Sequence, residues 1–270
     1  MIALFVLKLS AGITLMWWLM PRREVTDGFF RIQMRVVLGL AVLAILLLSQ
    51  TGTWDIQTLA NDGSTQPPVA VESSATQTWR GIQWAQIGLA VVAYVGSVFW
   101  ALGRRLPGNI CIHLMALASG GCVLLHSLRV PCSCAWLQVL SDLSSAAVCG
   151  SVLTAMLLGH WYLTTPTMSI RPLYWFNGMI VVAAVLRLIS SGTAVATQGL
   201  ALPGLTHWIW FIVRCIGSIA VPLIVAVAVW RVLRYRNTQS ATGILFAGLI
   251  LVLMGEMSGA LLERDLQIPY

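Results

Sequence analysis

Eight apolar stretches, each long enough to cross a membrane, alternate along this chain with short polar connections. About 20 apolar residues span the hydrocarbon core. Such runs lie near 1–20, 31–50, 80–102, 109–128, 136–161, 173–195, 206–231 and 242–262. Pro and Gly punctuate them at Pro21, Pro107-Gly108, Pro131, Pro166, Pro172 and Pro203-Gly204. One connection is long. Residues 51–79 carry Asn61-Asp62-Gly63-Ser64 and Pro67-Pro68 among many Ser, Thr and Gln. Such a segment is too polar to build a core, so an exposed, mobile loop is predicted. The pattern as a whole predicts an all-α fold, a single polytopic transmembrane helix bundle of eight spans.

Charge then orients the bundle. Loops on one side hold Arg22, Arg23, Arg31, Arg35, Arg104, Arg105, Arg171, Arg231, Arg234 and Arg236; the other side holds only Arg80, Arg129 and Arg264. Basic residues collect on the cytoplasmic side, so both termini and the 51–79 loop are predicted to be non-cytoplasmic. The expected location is the plasma (inner) membrane. The Trp residues fall near span ends. Trp17, Trp18, Trp100, Trp161, Trp175 and Trp230 mark the inner side, and Trp54, Trp79, Trp84, Trp136, Trp208 and Trp210 the outer. They are read as interfacial anchors. The first run resembles a signal peptide, but Lys8 lies inside it and no A-x-A site precedes Pro21, so an uncleaved first helix is predicted.

Composition agrees with lipid as the main solvent. Charged residues make up 9% of the chain, against about 25% in soluble domains, and mean hydropathy is +0.85. The net charge of +7 resides in Arg-bearing loops, which is the ordinary signature of topology. A nucleic-acid partner is therefore not expected. Cys111, Cys122, Cys149 and Cys215 sit inside apolar runs and read as packing residues.

Four charged residues break this pattern. Asp142, Arg187, Arg214 and Glu256 interrupt apolar runs, where even insertion scales assign about 2.5–3.5 kcal/mol to a central charge. At roughly 1.5 Å per residue, all four fall in the half of the bundle predicted to face outward. Lys8 and His126 fall at comparable depth. One reading is a set of ion pairs locking the bundle, for instance Asp142 with Arg187 and Glu256 with Arg214. The other is a polar site open to a ligand or a proton. A quinone suits such a site, because its ring needs hydrogen-bond donors and its reduction needs protons. On that reading Glu256 and Asp142 are the catalytic, proton-handling groups, and Arg187, Arg214, His126 and Lys8 line the ligand. Small residues (Ser141, Ser144, Ser145, Ala146, Ala147, Gly150) allow close packing around the fifth span. Gly255 and Gly259 do the same beside Glu256.

Other cofactor signals are thinner. His113 and His126 share a run, which suggests b-type haem. Thirteen residues at about 100° each leave them roughly 140° apart around a helix. Cys132-Ser-Cys134 sits in an outer loop without further metal ligands nearby, and no metal site is expected. Cys122 and His126 share a helix face. The inner connection from Gly159 to Pro172 is dense in polar and aromatic groups and reads as an interfacial turn, with a docking surface as the alternative. No phosphate-binding loop or metalloprotease motif is present, and no inverted repeat suggests a transporter.

The end of the chain resembles the membrane-anchor subunits of the dimethyl sulfoxide reductase and polysulfide reductase (NrfD-type) group. The segment Leu245 to Glu256, closing on Gly255-Glu256 and followed by Gly259, is similar to their last helix. Arg214 followed by Pro222 is similar to the helix before it, and Leu153 to Tyr162 to a middle helix. The family's His-Leu-Gly segment is replaced here by Thr51-Gly52-Thr53-Trp54. The resemblance implies a quinone-handling (menaquinone or ubiquinone) membrane anchor in electron transport, with an iron–sulfur or other redox subunit as partner. The expectation from sequence is therefore a subunit of an oxidoreductase complex. The rivals are a structural or assembly subunit, in which the charges only hold helices together, and a b-type haem electron carrier.

Overall fold

The computed structural model describes residues 2–61, 69–129, 135–165, 168–200 and 202–266, with backbone alone across 50–61 and 69–79. Regular structure among these residues is helical throughout. Helices α1 (Ile2–Leu19), α2 (Asp27–Asn61), α3 (Val69–Ala101), α4 (Arg105–Arg129), α5 (Ala135–Thr164) and α6 (Arg171–Gln198) are followed by α7 (Leu205–Cys215). A π turn (Ile216–Ala220) then leads to α8 (Val221–Leu233), and α9 (Thr238–Leu266) closes the bundle. Eight spans long and apolar enough to cross a membrane result, with α7, the π turn and α8 together forming the seventh. The chain is a multi-pass membrane protein by this measure.

The observed helices extend the predicted runs by a few residues at most ends. Arg and Gln side chains can reach water from a helix end while their stems stay against apolar neighbours, so polarity alone does not stop the helix. The largest difference lies in the 51–79 segment. It was expected as a loop, but α2 continues to Asn61 and α3 begins at Val69. Ala, Leu and Gln favour helix wherever Pro is absent, and Pro67 and Pro68 fall between the two helices. Cys132 and Cys134 lie outside the described residues.

α5 forms the centre of the bundle. Its apolar window is 72% buried, against 28% for α2, and it packs on α1, α4, α6 and α9. Its small residues make this possible. A Cβ on Gly12 would collide with the Ala146 carbonyl, and one on Gly150 with the Gly12 backbone, so α1 and α5 cross with their main chains in contact. Gly217 and Gly255 bring the π turn equally close to α9. Polar bonds between helices complete the packing: Thr14 with Ser119 (2.8 Å) and Asn177 to the Ala226 carbonyl (3.0 Å). The outer surface is apolar, with Leu117 70% and Ile224 66% exposed.

The π turn has a local cause. Pro222 has no N–H to give the Ser218 carbonyl four residues back, and its ring crowds that carbonyl. The Val221 N–H bonds instead to the Ile216 carbonyl, five residues back, and one widened turn absorbs the mismatch. Two of the predicted interfacial anchors also differ. Trp17 and Trp100 are buried, and Trp100 stacks on Phe30 at 4.5 Å. Position along a helix sets depth, but rotation about the axis decides whether a ring meets lipid or neighbours. Trp18, Trp84, Trp136, Trp208 and Trp230 do face outward.

The α1–α5 crossing gives a direct expectation. Gly12→Val or Gly150→Val forces two backbones apart and costs about 1–3 kcal/mol or more, read as a lower melting temperature in detergent. Gly178→Val, at a position open on all sides, leaves melting nearly unchanged.

A buried charge layer as the candidate functional site

α5 presents Gln138, Ser141, Asp142 and Ser145 at helical spacing, so they follow one face of the helix. Small rotations within that stripe send them to different neighbours. Asp142 turns toward α1 and α4. Lys8 Nζ approaches one of its oxygens at 2.6 Å, and the Ser127 hydroxyl donates to the other at 2.5 Å. The Gln138 amide lies 3.4 Å from both oxygens. His126, on α4, is close enough to feel the charges of Asp142 and Lys8.

Ser141, Ser144 and Ser145 turn instead toward α6 and α9. Arg187 donates from Nε to Glu256 Oε1 at 2.9 Å and from Nη2 to Oε2 at 2.8 Å. Its Nη1 reaches the Ser141 carbonyl (2.8 Å) and the hydroxyls of Ser141 and Ser144 (both 3.1 Å). The Ser145 hydroxyl donates to Glu256 Oε2 at 2.5 Å. Asp142, Arg187 and Glu256 are all buried. Two planar groups joined edge to edge, with remaining donors on α5, form the strongest kind of side-chain contact available here.

These pairings correct the sequence expectation. Asp142 pairs with Lys8 rather than Arg187, and Glu256 with Arg187 rather than Arg214. The expected partners were matched by depth alone. Residues 141 and 142 differ by about 100° around the helix, enough to turn neighbouring positions toward different helices. Arg214 is buried beside Gly259, where any Cβ would clash with its Nη1. It lies within the field of Glu256 and Glu263, but its Nε and Nη2 donate to nothing among the described residues.

All six ionisable groups singled out in the sequence therefore meet in one layer, and that layer has a further member. Glu263 accepts a short hydrogen bond from Gln138, and its other oxygen lies 3.8 Å from Lys8. It was missed because it stands one residue beyond the last apolar run. The signal was present in its spacing, since Glu256 and Glu263 are seven residues apart and share a face of α9. Gln138 was not singled out, and the serines of α5 were read as packing residues only, although together they carry much of the hydrogen bonding.

The remaining histidines are scattered. His113 sits against Arg22 (3.3 Å) and Trp18 near the arginine-rich end. His160 is exposed, and His207 faces Asp265 at 3.8 Å. Among the described residues no group of three or more His, Cys, Asp or Glu is placed to hold a metal ion. No protein family, curated protein or solved structure matches the chain.

Removing one member of a buried pair leaves the other uncompensated, which costs about 3–5 kcal/mol. Lys8→Met is therefore expected to lower the thermal stability of the purified protein strongly. Lys8→Met combined with Asp142→Asn should regain most of that loss, because the one carboxylate then left without a cation, Glu263, is partly exposed and keeps its bond from Gln138.

Proposed function

We propose that this chain is the membrane subunit of a respiratory-type redox complex. On this reading it resides in the plasma (inner) membrane, anchors an iron–sulfur or other redox partner, and handles quinone or quinol at its charge layer. Both termini face away from the cytoplasm, in keeping with the arginine asymmetry of the loops. Asp142 and Glu256 exchange protons with the ring. Lys8 holds Asp142 ionised and Arg187 holds Glu256 ionised, while Arg214 and His126 orient the ligand.

One observation carries the reading. A staircase of carboxylates descends from a membrane face into the bundle. Glu263, with 20% of its side chain exposed, bonds to Gln138 and neighbours Lys8. Both of these contact Asp142. Adjacent α5 serines then carry Arg187 and Glu256. Ionisable chains of this kind inside a membrane characteristically mark proton or substrate paths, and quinone chemistry needs protons delivered at depth.

A second reading is favoured by the saturation of the same groups. Both oxygens of Asp142 and both of Glu256 are occupied, as expected of a clasp that only fixes helix register. Glu256→Gln separates the two, because it keeps the side-chain shape and one acceptor for Arg187. If Glu256 handles protons, quinol-dependent turnover per assembled complex falls roughly a hundredfold or more, beyond the lower yield and melting temperature that an uncompensated Arg187 brings in either case. Turnover that survives in an assembled Glu256→Gln complex supports the clasp. Absence of quinol-dependent activity in the wild-type complex defeats the redox reading itself.

A further inference from the structure

We infer that the Nε–Nη2 edge of Arg214 is a binding site for a planar monoanion of the carboxylate class. The neighbouring arginine shows what such an edge accepts. In Arg187 the two parallel N–H groups take both oxygens of Glu256, at 2.9 and 2.8 Å. In Arg214 the same two donors have no acceptor among the described residues, although the residue is only 2% exposed. A guanidinium does not lose its proton to escape this situation. A buried cation without a matched acceptor costs several kcal/mol, and a carboxylate placed on the fork offsets that cost.

No carboxylate among the described residues fills the role. Glu256 is taken up by Arg187 and Ser145. Glu263 is held by Gln138 and Lys8. The layer sets three cations, Lys8, Arg187 and Arg214, against the buried Asp142 and Glu256 and the partly exposed Glu263, and none of these carboxylates lies on the Arg214 fork. Gly259 clears space for the guanidinium itself. Further unpaired hydroxyls lie at a comparable level of the bundle. Ser218, one turn along from Arg214, lies within reach of Glu256; the hydroxyls without a partner among the described residues include those of Ser190 and Ser191. These last two stand one turn beyond Arg187 on α6, as Gly259 does beyond Glu256 on α9. Both helices run antiparallel to α5 (Leu137 meets Ala194 and Leu262 in one cluster), so the three positions share a level.

The carboxylate can belong to a small free acid or to the head of a fatty acid whose chain stays in lipid. Binding of ¹³C-formate and ¹³C-decanoate to the full-length protein in phosphatidylcholine nanodiscs, followed by NMR at fixed ionic strength, separates these sources. Saturable binding is expected for at least one of them. Formate binding identifies a free acid, and decanoate binding without formate identifies an amphiphile. Arg214→Lys keeps the charge but removes the fork, so affinity should fall about tenfold or more, the loss of one charge-assisted bond. If neither probe binds saturably to the wild type, or Arg214→Lys binds as well, the site does not exist. Stability gives an independent check that does not need the variant to bind. With no carboxylate present, Arg214→Met should melt at or above the wild-type temperature, because an unsatisfied charge has been removed. A strongly destabilised Arg214→Met would mean that the guanidinium is already paired within the chain, which overturns the inference. None of these measurements involves quinone or a partner subunit, so they succeed or fail separately from the redox reading.

Discussion

Lipid cannot solvate a charge, so every ionised side chain within this bundle depends on a partner that another helix must supply. The Arg187–Glu256 fork is the fullest answer to that constraint. It ties α6 to α9 and, through Ser141, Ser144 and Ser145, ties both to α5. Lys8 and Asp142 repeat the solution between α1 and α5. α5 is therefore central for an electrostatic reason as well as a steric one, since it contributes to both pairs. Register follows directly. A shift of one residue along α5 would turn Asp142 away from Lys8 and leave two charges stranded.

Such contacts form only if helices approach closely, and the close approaches occur beside the charges. Gly12 and Gly150 let α1 and α5 touch main chain to main chain next to the Lys8–Asp142 pair. Gly255, one residue before Glu256, meets Gly217 of the π turn. Small residues in membranes permit dispersion contacts and hydrogen bonds that a larger side chain would hold apart. The irregular turn belongs to the same region. It follows Arg214, precedes Pro222 and brings Gly217 against α9. Packing and charge are thus two aspects of one arrangement in this half of the molecule.

The pairs need not add net stability. Replacing a buried ion pair by well-packed apolar residues is often neutral or favourable, whereas breaking one is costly. Their presence in a membrane chain with only nine acidic residues points to specificity or chemistry. A clasp explains Arg187 and Glu256 well. It explains Glu263 less well, because that residue extends the network toward the end of α9 and is itself partly exposed. It does not explain Arg214, whose Nε and Nη2 donate to nothing among the described residues. These two residues are the reason a functional layer is preferred here to a purely mechanical one.

Spans and depths were legible in the chain because both depend on distance along a helix, which the residue number measures. Eight apolar runs gave eight spans, and Lys8, His126, Asp142, Arg187, Arg214 and Glu256 were recognisable as one stratum for the same reason. Partners were not legible, because pairing depends on rotation about each axis and on which helices are neighbours. Asp142 therefore met Lys8, and Arg187 took Glu256, although other matches at equal depth looked as good. Burial of Trp17 and Trp100, against their reading as interfacial anchors, has the same origin. Hydrophobic runs record contact with lipid or core without distinguishing them; only the packed helices decide which side of each faces which.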